Sequence, residues 1–264
     1  MAVSKPYYLT VRQFLDGHYT EGGRARYINR PDYSKRPSNY IRAYMLLQKD
    51  LLELFNYIEP SDTALKTYSF RIQELFVRTC IEIEANFRAI FAMNKYSRKS
   101  QSLKISDYYL INSSHFLSSY SAKLPYWSEN LMTADRTPFK DWGNPPNPKE
   151  PWVLKWYQDY NKTKHDRSNN LNLSTFENLI DAFSALVIVI SAQYMSEDFS
   201  PAPGALLVDS GWNDGYDSAN GDYFRIIYPR HLPESERYDF NWQDLMNEKD
   251  VFQQFDYDSL VRKK

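Results

Sequence analysis

Apolar residues recur at helical spacing in three long stretches of this chain. In the first, Ile41, Met45, Leu51, Leu52, Phe55 and Ile58 keep the helical period, which predicts a helix with one buried face. Ser38 or Asn39 can cap its start, and Pro60 ends it, because proline cannot continue the hydrogen-bond ladder. The second stretch predicts the longest helix, from Ser61-Asp62 to about Lys95. Ile72, Leu75, Phe76, Ile83, Phe87 and Ile90 share one of its faces; Arg71, Glu74, Arg78 and Glu82 share another. Charges alternating at those spacings form either a solvated ladder of ion pairs or the arginine-bearing wall of a cleft. The third stretch, 174–195, is apolar nearly all round between 179 and 192. Such a helix belongs in the middle of a bundle. Ser174 with Glu177 three residues on has the form of a capping box.

Elsewhere the pattern is looser. Residues 107–112 fit one or two helical turns, and 116–124 alternate as a strand ending at Pro125. Five prolines (Pro138, Pro145, Pro146, Pro148 and Pro151) with Trp142 and Gly143 mark 138–151 as a rigid loop anchored by an indole. Pro151 suits the first turn of another helix, which carries residues 156–165. Beyond Pro201, glycines alternate with acids; 223–228 reads as a strand, with 205–208 as its partner. Short helices are expected near 11–15, 242–247 and 250–255. The expected class is therefore mainly α. An antiparallel helical bundle over 38–196 follows an irregular basic arm at 1–37 and precedes a small, β-containing acidic extension at 197–264.

Charge sharpens that division. The net charge is −1, yet residues 1–42 carry eight Lys/Arg against three acids, and 195–260 carry fourteen acids against four Lys/Arg. The two ends can attract each other, within one chain or across a dimer, or the basic arm can bind nucleic acid. Aromatic residues reach 16%, with 22 tyrosines, which suits interfaces and stacking surfaces as well as a wet-edged core. The single cysteine, Cys80, excludes an internal disulfide and reads as a small buried hydrophobe. The start of the chain has no apolar signal core, and the longest apolar run, 185–190, is far too short to span a bilayer. A cytoplasmic protein without a membrane partner is expected.

Few catalytic arrangements fit. There is no glycine-rich phosphate loop and no nucleophile elbow. No two of His18, His115, His165 and His231 have metal-ligand spacing. The acids Asp209, Asp214, Asp217 and Asp222 lack the pattern of a calcium loop. Neither a metal nor a cofactor is expected. What remains is the segment Trp156-Tyr157-Gln158-Asp159-Tyr160-Asn161-Lys162-Thr163-Lys164-His165-Asp166-Arg167. Asn161 and His165 are four apart and stack on one helical face with Lys164 beside them. A histidine among cations can move a proton while the cations meet phosphate charge, the minimum for metal-free RNA cleavage. The same cations also suit a last helical turn, where the helix dipole favours them, with Asn169-Asn170 as the stop. Both readings stand at this level.

The order of a long helix containing Tyr68-Ser69-Phe70-Arg71-Ile72-Gln73-Glu74-Leu75, then Asn161-Lys-Thr-Lys-His165-Asp-Arg, then a buried Ala/Leu/Val helix, resembles the HEPN superfamily. That resemblance covers roughly residues 38–196. It implies an up-down helical bundle, a homodimer, and either a metal-independent endoribonuclease of a toxin–antitoxin or antiphage system or a non-catalytic module that binds a nucleotide or a partner protein. It assigns catalysis to His165 and Asn161, the counterparts of the family's histidine and polar residue. The family's arginine shortly before the histidine is absent; Gln158, Asp159 and Tyr160 stand there. Arg167, Lys164 or Arg71 then has to supply that charge, with Lys162 and Arg78 as further RNA or nucleotide contacts. An antitoxin or defence partner is also implied.

Overall fold

The computed structural model describes residues 3–19, 24–129, 133–197, 199, 215–221 and 223–262. Four helices organise it: α1 (Pro37–Leu54), α2 (Phe70–Met93), α3 (Lys155–His165) and α4 (Phe176–Tyr194). The chain is mainly α, as its periodicity predicts. Helix α4 is the axis. Phe183, Leu186, Val187 and Ile190 are buried in it, and Ile72, Phe76, Ile83 and Phe87 are buried on α2, its principal neighbour. It is the one helix among the described residues long and apolar enough to cross a membrane, and the fold buries most of it.

The other sides of α4 are covered by α1, α3 and a small sheet. The antiparallel order is β4 (Asp135–Arg136), β3 (Ser121–Lys123), β6 (Arg225–Ile227), β5 (Asp217–Ser218). Its register places Ala122 opposite both Arg136 and Ile226, and Asp217 opposite Ile226. The expected strand over 116–124 thus shrinks to three residues, because 117–119 form a helical turn after the left-handed Phe116. The strand expected at 223–228 is present, centred on β6. Its expected partner at 205–208, with the acidic-loop residues Asp209, Asp214 and Asp222, lies outside the described residues.

Helix boundaries moved where side chains found distant partners. Helix α1 starts at Pro37 rather than after a Ser38 or Asn39 cap; its preceding residue, Arg36, is left-handed and makes no side-chain cap. Helix α2 starts at Phe70, not near Ser61. Asp62 accepts from the Trp127 indole at 2.9 Å, and Thr63 bonds Glu129, so the segment is tied to another loop. The Ser69 hydroxyl accepts from the Ile72 amide and caps the helix instead. At α4 the cap is Thr175, bonded to the Asn178 amide, while Ser174 is buried. Helix α3 begins at Lys155, four positions beyond Pro151. Trp142 does anchor the proline-rich loop: its indole donates to the Trp152 carbonyl at 3.0 Å.

The two chain ends pack together over one end of the bundle. Lys5 pairs with Glu248 at 2.7 Å, Arg12 with Glu236 at 2.6 Å, and His18 with Asp217 at 3.2 Å. Extended bridges join Val3 to Tyr238 and Tyr7 to Gln253. Residues 250–255 are consequently extended rather than helical, and the last helical turns are Trp242–Leu245 and Tyr257–Arg262. Residues 11–15 are not helical either. Phe14–Leu15 (β1) pairs with His18–Tyr19 (β2) across Asp16-Gly17. Both turn residues have positive φ, 51° and 88°, the conformation a two-residue hairpin demands. The Arg12 guanidinium is buried against Tyr7, Phe116 and Phe255, and its Nε donates to the Ser114 carbonyl. It is a joint of the fold.

Candidate functional site at the end of helix α3

Helix α3 turns Trp156, Tyr157, Tyr160 and Thr163 inward. The Trp156 indole donates to the Pro138 carbonyl at 3.0 Å, and Tyr160 meets Phe76 edge-on at 6.1 Å between ring centres. Asp159 is buried too, accepting from Lys155 at 2.8 Å and Asn178 at 3.1 Å, with Lys162 at 3.7 Å. The outer face carries Lys155, Gln158, Lys162, Lys164 and His165, with Asn161 half-buried.

Asp166 ends the helix. Its amide donates to the Lys162 carbonyl, and its carboxylate accepts from the Asn169 backbone and side chain at 3.3 and 2.8 Å. One residue therefore closes α3 and caps the next turn, Arg167–Asn170. The chain is redirected there, and the Arg167 guanidinium lies 5.5 Å from the centre of the Phe70 ring at the start of α2. Cation–π attraction of that kind holds an arginine without a carboxylate. Among the described residues Arg167 makes no ion pair.

His165 is exposed, and no hydrogen bond to its ring is present among the described residues. Asn161 shares its face, but among the described residues no hydrogen bond joins the two, so Asn161 does not orient the imidazole. Lys164 folds back onto Tyr160, with its amine 2.9 Å from the hydroxyl and 5.1 Å from the ring centre. The other two arginines lie elsewhere. Arg71 pairs with Glu74 at 3.1 Å, and Arg78 reaches across to Asp50 of α1 at 2.6 Å. Glu82 instead meets Asn86. The charge ladder along α2 is thus broken at Arg78, because a partner on α1 was within reach. Arg71 and Arg78 line a cavity of about 580 Å³ between α1 and α2, and His165 is not among its lining residues.

Helical spacing places Glu84 on the same face of α2 as Cys80 and Phe87, a buried charge that periodicity reveals but that apolar positions overshadowed. Its carboxylate accepts from Tyr157 at 2.9 Å and Arg88 at 2.7 Å. Burial, then the Glu84 charge, pushes the Tyr157 and Tyr160 hydroxyls far up. Burial likewise raises Cys80 well above an ordinary thiol, so none of these is a ready nucleophile. His115 is buried and lowered to about 3, chiefly by desolvation. It joins Leu9 and Ser114, each at 2.7 Å, and ties the N-terminal segment to the core.

Asp181 of α4 lies 3.4 Å from Arg136, whose guanidinium stacks over Trp127. Burial raises its carboxyl from 3.8 to about 6, against the opposing pull of Arg136. Between those values the folded protein holds a proton that the unfolded chain has released, so this group removes stability as pH rises through that window. Asp181→Asn should abolish that component. Urea midpoints of parent and variant, measured from pH 3.8 to about 6, should show the parent losing stability relative to the variant. A constant difference would mean that Asp181 is not the titrating group.

Among the described residues no cluster of three metal-ligating side chains occurs. No protein-family model, curated protein or solved structure matches this chain, so the corner of α3 stands on its own geometry.

Proposed function

We propose that this chain is an RNA-directed, HEPN-like protein that acts as a metal-independent endoribonuclease, with the end of α3 as its working surface. The observation that carries the reading is the His165 imidazole, exposed and without a hydrogen-bond partner among the described residues, two positions from the unpaired Arg167. Among the described residues His165 donates no hydrogen bond to the last carbonyls of α3, so no capping bond accounts for it. In the proposed step His165 takes the ribose 2′-hydroxyl proton or returns one to the leaving oxygen. Arg167 and Lys164 stabilise the charge that develops on the phosphorus-bound oxygens. Lys162 adds to the positive field, and Asn161 positions the substrate rather than the imidazole.

The second reading, a non-catalytic module binding a nucleotide or partner protein, is favoured by the inward orientation of Asp159 and Tyr160. Those positions cannot present the arginine that the family pattern wants. A homodimer is part of both readings, and an antitoxin or defence partner extends the first. Incubating the parent protein with single-stranded RNA in excess chelator separates them. Cleavage that persists supports the nuclease, and loss of cleavage on chelation removes the metal-independent mechanism. Binding without cleavage would favour the module. Light scattering over micromolar concentrations reads the dimer directly.

A further inference from the structure

Tyr57 is 81% exposed, the most exposed of the large hydrophobic side chains described. It lines the cavity between α1 and α2, together with the apolar Leu54, Ile58 and Leu75. The charges around those apolar side chains do not cancel. Three carboxylates, Asp50, Glu53 and Glu74, stand against two guanidinium groups, Arg71 and Arg78. Arg78 is taken by Asp50 at 2.6 Å and Arg71 by Glu74 at 3.1 Å. Glu53 is left over. Its exposed carboxylate makes no hydrogen bond or ion pair among the described residues, although Lys49 lies one turn before it. The helical turns continue past Leu54, where the Tyr57 amide donates to the Leu54 carbonyl at 3.0 Å. Glu53 and Tyr57 are four apart on those turns, so the free carboxylate and the ring are neighbours on one side.

We infer that this cavity is a binding site for a small organic cation: an amine, amidine or guanidine with an apolar body. The charged head pairs with Glu53 beside the Tyr57 ring, and the body covers Leu54, Ile58 and Leu75. A carboxylate suits such a head because a hydrogen bond between two charged groups is about twice as strong as one between neutral groups. The face of the Tyr57 ring adds cation–π attraction, and the apolar side chains gain by leaving water. An anion is disfavoured there, since the lining is net negative and each arginine is already neutralised by a carboxylate. The volume of about 580 Å³ falls within the roughly 300–1,000 Å³ of small-ligand sites. Charged side chains of both helices interrupt the apolar surface, so it offers no continuous face to a partner helix. The inference does not rest on the RNA-directed reading, because His165 does not line this cavity.

The test is titration of the protein with benzamidine, followed by the methyl NMR signals of Leu54, Ile58 and Leu75. Benzamide, its neutral counterpart, and benzoate, its anionic one, are the comparison ligands, since all three carry the same ring. Benzamidine should shift those three signals and saturate with a Kd of about 1 mM or below, as expected for so small a ligand. Benzamide should bind at least about 5-fold more weakly and benzoate more weakly still. Glu53→Gln, which keeps the shape and removes the charge, should weaken benzamidine by about 5- to 30-fold and leave benzamide nearly unchanged. Tyr57→Ala should weaken benzamidine by about 2- to 5-fold, whereas the ring-retaining Tyr57→Phe should stay near the parent. Glu234→Gln, an exposed acid outside the cavity, controls for overall charge and should have no effect. Thermal unfolding checks that each variant is folded; both substituted cavity positions are exposed. Equal affinity for benzamidine and benzamide, or parental affinity in Glu53→Gln, overturns the inference. So does the absence of saturable binding, or binding that moves other methyl signals and leaves these three in place.

Discussion

Replacing His165 with alanine is expected to slow RNA cleavage by about 10²- to 10⁴-fold, the usual size of a lost proton-transfer group. Folding should be nearly unaffected, because the ring is exposed and makes no hydrogen bond among the described residues. The competing explanation, in which the residue only serves the helix dipole, makes the opposite pair of statements. It expects no cleavage by the parent and a stability loss of about 0.3–1 kcal/mol in the variant. Cleavage rates in chelator and thermal unfolding, measured on the same two preparations, therefore separate chemistry from capping. A variant that cleaves at the parental rate would sink the assignment of His165, even if the protein proved to be a nuclease.

Truncating Leu186 to alanine should cost about 2–5 kcal/mol of stability. Leu186 is fully buried at the centre of α4, where a lost isobutyl group leaves a cavity that neighbouring helices cannot fill without moving. For a domain of this size the melting temperature should fall by roughly 5–15 °C. The exposed Ile81 on α2 supplies the control: Ile81→Ala should change stability by no more than about 0.5 kcal/mol. Equal effects at the two positions would mean that α4 is not the core of the fold in solution.

The candidate site was legible in parts. The residues of α3 could be found by eye because chemistry-bearing types are concentrated there, but the stop expected at Asn169-Asn170 falls at Asp166 instead, which closes α3 and caps the next turn. The separation of Arg71 and Arg78 from His165 was not legible. Helical spacing says which residues share a face of α2, but it cannot say that Asp50 on another helix takes Arg78. Nor does it show that Arg167 comes to rest on Phe70, about a hundred residues earlier in the chain. Some signals were present and outweighed. Asp16-Gly17 is a strong hairpin dipeptide, yet the apolar spacing around it reads as a helix.

The sequence by itself determined the helical class, the amphipathic faces of α1 and α2 and the central place of α4. Those properties follow from local periodicity and from the cost of leaving an all-round apolar helix in water. It also carried the opposite charges of the two chain ends. Only the tertiary structure decided how those charges are used: Lys5 and Arg12 meet Glu248 and Glu236 within one chain. It alone chose Thr175 over Ser174 as a cap and Ser69 over Ser61 as the start of α2. In each case several local arrangements were nearly equal in energy. Contacts between residues far apart in the chain, which no local pattern encodes, selected among them.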